Sequence, residues 1–155
     1  MFEATFRGER VALKLCDLWQ HPEYHEEMLN EAQTYLELGE LQGHAIPKLK
    51  SASYTAGGLF ALMTELAGST IEVNELSNQE RRKIVRQLMD IHDHGFLHGD
   101  VSTDNILIQH YHDGSKIMFI DFAFSKKISS PEEAKTEIAC SRKLLGLRSD
   151  RKPRD

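Results

Sequence analysis

The chain has 155 residues with 19 basic and 24 acidic side chains, 8 histidines and a formal net charge of −5; hydrophobic residues make up 40%. At this length about 68–70% of the unfolded surface is buried on folding, which supports one core and one domain rather than two. Mild acidity excludes a nucleic-acid-coating protein, which needs a basic footprint. Cys16 and Cys140 are too few for a disulfide scaffold and point to a reducing compartment, cytoplasmic or nuclear, and no apolar run is long enough for a membrane span or secretory leader.

In chain order, Phe2, Ala4 and Phe6 alternate with polar neighbours, Arg7-Gly8-Glu9-Arg10 signals a turn, and Val11 to Leu15 predicts a second strand. Pro22 opens a helix whose apolar positions are Met28, Leu29, Ala32, Tyr35 and Leu36, with Gly39 as its stop. Pro47 introduces an extended segment to Tyr54, and Gly57-Gly58 turns it into an apolar strand, Leu59 to Leu66. Ala67-Gly68-Ser69 is a linker. Ser77-Asn78-Gln79-Glu80 is a capping box, opening a helix with the stripe Ile84, Val85, Leu88, Met89 and Ile91 that ends at Gly95. Ile106 to Ile108 and Ile117 to Ile120 flank Asp113-Gly114, a hairpin signal that pairs 112 with 115 and 105 with 122. Ser130 caps a last helix, with Glu132 and Glu133 in its first turn, running to about Leu145. Residues 148–155 are too charged to pack and are expected to be mobile. This order describes an α+β chain of two small lobes.

Three polar groups interrupt these apolar patterns. Strand alternation puts Ala12 and Lys14 on one face and Val11, Leu13 and Leu15 on the other. A small residue beside a long cation fits a nucleotide, with room for a flat base and reach to phosphate; taken alone, the pattern favours a lysine snorkelling off an edge strand. The run from His98 to Asn105 displays polar side chains between an apolar helix and an apolar strand, and Asp121 ends the next strand. The hairpin brings Asn105 and Asp121 within one residue of facing each other. A neutral oxygen and a carboxylate together suit Mg²⁺, which takes few protein ligands, and Asp100 on the intervening loop faces the same point.

These segments resemble the motifs of protein kinases. Val11-Ala12-Leu13-Lys14 is similar to their strand lysine, His98-Gly99-Asp100 through Asn105 to their catalytic loop, and Asp121-Phe122-Ala123 to their metal-binding triplet. The resemblance implies a bilobal protein-kinase-like fold: an N-lobe over about 1–64, a hinge over about 64–69, a C-lobe over about 70–147, then the charged tail. It implies ATP and Mg²⁺ as cofactors and phosphoryl transfer to a hydroxyl, serine or threonine of a protein foremost. A nucleotide-binding module without turnover and a small-molecule kinase of the aminoglycoside or choline type are the alternatives. By resemblance Lys14 holds the α- and β-phosphates and pairs with Glu31 (Glu27, one turn earlier, is the fallback), Asp100 accepts the substrate proton, and Asn105 and Asp121 hold Mg²⁺. Thr64-Glu65-Leu66 would contact adenine, Met63 would guard the rear of the pocket, and Ala12 would roof the base.

The departures are equally specific. Gly99 stands where kinases carry arginine, Ser102 where serine/threonine kinases carry lysine, and Ala123 where glycine is usual; the loop is more similar to the atypical RIO and KEOPS-complex kinases. Ser130-Pro131-Glu132 comes only ten residues after Asp121 and leaves almost no activation loop. Only thirteen residues precede Lys14, and their one glycine, Gly8, lies in the turn, so a truncated N-lobe without a glycine-rich loop and a reduced C-lobe are expected.

Other histidines read as structure. His21 and His25 share a helical face, yet Pro22 occupies the place where a zinc protease needs glutamate. His98 reads as a core histidine propping the catalytic loop, His92 and His94 as the end of a helix, and His110 and His112 as exposed near the hairpin tip. Glu72, Glu75 and Glu80 read as a solvated acidic face. Neither a membrane nor a nucleic acid is expected as a partner.

Overall fold

The structure, a computed structural model, describes residues 1–147; the tail over 148–155, expected to be mobile, lies outside the described residues. Strand β1 (Phe2–Phe6) turns back into β2 (Glu9–Asp17), with Arg7 and Gly8 at φ 51° and 83°. Two consecutive left-handed residues match the twist of flanking strands, and glycine supplies one of them without strain. After a 3-10 turn at Pro22–Tyr24, helix α1 (His25–Glu37) crosses to β3 (Leu49–Tyr54) and β4 (Leu59–Glu65), completing an antiparallel sheet of order β1-β2-β4-β3.

Strand β5 (Ser69–Thr70) leads into α2 (Asn78–Asp93), and β6 (Phe96–Leu97) follows it. Next come β7 (Ile106–Tyr111), β8 (Gly114–Phe119), β9 (Lys126–Lys127) and α3 (Pro131–Leu144). β5, β7 and β8 form one small sheet, and β6 pairs with β9. These two-residue strands are too short to carry a period and were not foreseen.

One core runs through both halves, from Tyr35, Leu38, Ile46 and Phe60 to Ile84, Leu88, Ile117 and Phe119. α1 buries Met28, Glu31, Ala32 and Tyr35, whereas Leu29 and Leu36 are exposed. Both follow a buried residue by one position, about 100° around the helix, which carries them off the contact stripe. Met89 leaves the α2 stripe for the same reason, while Ile84, Val85, Leu88 and Ile91 stay buried. The capping box is formed: Ser77 Oγ accepts from Glu80 N at 3.2 Å, and Ser77 N donates to the Glu80 carboxylate at 2.9 Å. At the start of α3, Ser130 holds the cap position without a side-chain cap bond; Glu133 instead accepts from Ser129 N at 2.9 Å and Ser129 Oγ at 2.8 Å, which fastens the residue before it.

The β7–β8 register differs from the expected one. Tyr111 pairs with Gly114 and Ile106 with Phe119, so His112-Asp113 forms the turn. Of the tip residues only Gly114 takes a positive φ, 145°, which moves the bend one residue ahead of Asp113-Gly114. The consequence at the base is small: the Asn105 carbonyl accepts from Ile120 N at 3.0 Å, and Asp121 follows immediately.

Candidate functional site

Pairing of β2 with β4 sets Ala12 opposite Thr64 and Lys14 opposite Leu62, so these four share the face turned toward α1 and the second half of the chain. The Lys14 ammonium lies 2.7 Å from Glu31 Oε2 and 3.2 Å from Asp121 Oδ1. Glu31, not Glu27, is therefore the helix partner, and it is 1% exposed. Its other oxygen accepts from Phe122 N at 3.4 Å. Burial opposes the Lys14 charge, but the carboxylates of Glu31 and Asp121 outweigh it and raise its pKa. Burial also pushes the Glu31 carboxyl up against the pull of Lys14. Two acids share one cation, leaving surplus negative charge where a divalent ion would neutralise it.

The loop after β6 is organised by His98. Its ring is fully buried; Nε2 donates to Ile120 O at 2.9 Å and Nδ1 accepts from Asp100 N at 3.2 Å. Those two bonds require the neutral ring, and burial lowers its pKa accordingly. The ring packs against Phe122 (centroids 4.9 Å apart) and Phe119 (5.5 Å), and Phe122 meets Tyr35 of α1 edge-on at 5.3 Å. A column of rings thus ties α1 to the loop. Asn105 Nδ2 donates to the Asp100 carbonyl at 2.9 Å and to its carboxylate Oδ2 at 3.0 Å. Asp121 sits at φ 65°, a left-handed conformation that aspartate tolerates better than most residues, and this aims its carboxylate at Lys14.

Three further contacts, unseen from the sequence, fix this loop and the segment after Asp121. Gly99 has φ 85°, and a Cβ there would lie 2.1 Å from Phe124 O. That contact is the physical reason no arginine stands at this position. Glu137 of α3 accepts from Gly99 N at 2.7 Å, His98 N at 3.1 Å and His92 Nε2 at 2.6 Å. His92, in the last turn of α2 as expected, is thus also a half-buried strut. Asn30 of α1 donates to the carbonyls of Phe122, Ala123 and Ser125 at 3.3, 3.0 and 2.8 Å. Its only sequence signal was its place beside Glu31.

A cavity of about 380 Å³ lies beside Lys14, with Ala12, Thr64, Glu65, Leu66, Asn105 and Asp121 among its lining residues. Met63 is not among them. It pairs with Leu13 and Ser51 on the opposite face of the sheet, so it does not guard the pocket; Thr64, opposite Ala12, faces the cavity instead. The donors fit Mg²⁺. Asn105 Nδ2 is committed to Asp100, which leaves Oδ1, and Asp121 uses one oxygen on Lys14, which leaves the other. Among the described residues no group of three or more His, Cys, Asp or Glu could hold a metal. His21 and His25 have separate partners, Glu23 at 3.2 Å and Tyr54 at 2.7 Å. His94 bonds Glu40 at 3.3 Å, and exposed His110 lies 3.5 Å from Glu80.

The sequence matches the protein kinase domain family over residues 3–144. It is 26% identical over 133 residues to a serine/threonine-protein kinase, dkf-2, of Caenorhabditis briggsae; the match covers 78% of this chain and spans 11% of that protein.

Proposed function

The chain belongs to the protein kinase domain family, and we propose that it transfers the γ-phosphate of ATP to a hydroxyl, with serine or threonine of a protein as acceptor. The observation that supports this best is that four separate stretches of chain meet beside one cavity: Lys14 bonds Glu31 and Asp121, Asp100 bonds Asn105, and Asn105 and Asp121 line the cavity. In this reading Ala12 and residues 64–66 receive the base, and Lys14 binds phosphate while Glu31 holds it in place. Asn105 and Asp121 hold Mg²⁺, which neutralises charge on the phosphates. Asp100 accepts the acceptor's proton as its oxygen attacks the γ-phosphorus and the bond to the ADP oxygen breaks. Little covalent chemistry falls to the protein, so fixed geometry is its main contribution. The loop from His98 to Asn105 supports an atypical member similar to the RIO and KEOPS-complex kinases. Free Cys16 and Cys140, neither in a disulfide, support a cytoplasmic location.

Transfer of radiolabelled γ-phosphate by the purified chain tests the reading. Binding of ATP without transfer would identify a nucleotide-binding module, and transfer to aminoglycoside or choline but not to protein would identify a small-molecule kinase. The metal assignment has its own test. ATP with Mg²⁺ is expected to raise the melting temperature more than ATP alone, and Asp121→Ala is expected to remove the difference. An undiminished Mg²⁺-dependent shift in that variant would exclude Asp121 as a ligand.

Activity is expected to be independent of phosphorylation after Asp121. That segment is already fastened: by Asn30, by Ser125 Oγ to Leu97 O at 2.6 Å, by β9 on β6, and by Ile128 N to Gly95 O at 2.8 Å. A phosphate has no loop left to order. Phosphatase treatment before the transfer assay should leave the rate unchanged, and a large drop would contradict this.

A further inference from the structure

We infer that the outer face of α2 and the tip of the β7–β8 hairpin form a docking trough for a short acidic segment of a protein partner. Two cavities of about 630 and 680 Å³ adjoin at Gln79 and Lys83 and run along the helix. Four cations line them. Arg82 and Arg86 are exposed one turn apart, Lys83 donates to Ser115 O, and Lys116 lies across on β8. Among the described residues none of the four makes an ion pair, although the chain carries 24 acids to 19 bases. Elsewhere Lys50, Lys126, Lys127 and Lys135 are each paired with a glutamate, at 2.7, 2.6, 3.5 and 3.5 Å. Three acids share the lining, Glu80 at the helix cap beside His110 and Asp113 and Asp90 at the two ends, so the four cations stand one charge in excess.

A second observation specifies the ligand. Gln87 is 9% exposed; its Nε2 donates to His44 O at 3.1 Å, which fixes the amide, and its Oε1 is buried with no partner. An orphan acceptor among cations suits a ligand that brings both anions and a donor. A peptide supplies carboxylates and backbone N–H groups together. A nucleic acid backbone offers mainly acceptors. The trough also lies clear of the cleft. β7 is six residues long, so its tip is roughly 20 Å from Asn105 at its base, and a docked partner leaves nucleotide exchange open.

The test is fluorescence anisotropy of the whole chain with a fluorescein-labelled ten-residue peptide of alternating glutamate and glycine. Saturable binding that weakens with salt is expected, roughly tenfold weaker or worse in Arg82→Glu/Arg86→Glu and unchanged in Asp121→Ala. The last variant separates this surface from the phosphoryl-transfer site, so either idea can fail alone. Both arginines are exposed, and an unaltered melting temperature would verify folding; Arg82→Gln/Arg86→Gln serves if the glutamate variant does not fold. Three results would overturn the proposal: no binding at millimolar peptide, equal affinity in the double variant, or tighter binding of an RNA oligonucleotide through the same arginines.

Discussion

Asp100→Asn should slow phosphoryl transfer on the order of 10²- to 10⁴-fold while leaving nucleotide binding intact. Asp100 Oδ2 accepts from Asn105 Nδ2 at 3.0 Å, which orients the carboxyl. Asparagine has the same shape and can turn its oxygen to keep that bond. Its other side then presents an NH₂ group where the carboxylate offered a lone pair, so the acceptor hydroxyl loses its proton sink. Because Asn105 keeps its partner, the Mg²⁺-dependent thermal shift with ATP should match wild type. Radiolabel transfer measured beside that shift separates the two effects. Equal transfer rates would remove Asp100 from the proton-accepting role; loss of both signals would mean that the substitution had disturbed Asn105 instead.

Much of this site could be read from sequence because its members break strong local patterns. Lys14 interrupts an apolar strand, Asp121 ends one, and Glu31 is an acid on the buried stripe of α1. Each anomaly stands against a period that is unambiguous over several residues. Met63 failed because strands alternate with period two, and an error of one residue turns a side chain to the other face. The hairpin register failed because the order Asp113-Gly114 names a turn without saying which of its residues takes positive φ. Glu137, His92 and Asn30 were out of reach for a different reason. Their partners are backbone groups 38 to 95 positions away for Glu137 and Asn30, and such groups are the same for every residue type. Gly99 lies between these cases: the departure from arginine is visible, but the Phe124 carbonyl that enforces it belongs to the folded chain.

Glu137→Gln is the substitution that weighs such hidden contacts, and it should lower kcat by on the order of a hundredfold with little change in the KM for ATP. The two carboxylate oxygens serve three donors, from His92, His98 and Gly99. Glutamine keeps one oxygen. If its NH₂ replaces Oε1 it meets the Gly99 N–H; if it replaces Oε2 it meets that of His98. Either way a backbone donor is left unpaired, at a cost of about 1–3 kcal/mol. Asp100 is the next residue, and a displacement near 1 Å at a reacting group costs about a hundredfold in rate. The nucleotide contacts lie on other elements and are spared. Acid adds a second readout. Burial opposes the Glu137 charge, but the bonds from His92, Gly99 and His98 outweigh it and hold its pKa below the usual carboxylate value. A depressed folded pKa contributes stability above the unfolded value, near pH 4.5, and that contribution fades as pH falls through the folded one. The wild-type melting temperature should therefore fall more steeply below about pH 4.5 than that of Glu137→Gln, the two curves drawing together in acid. A variant that melts lower yet keeps full kcat would make Glu137 a purely structural clamp, and the position of Asp100 would then rest on His98 and Asn105 alone.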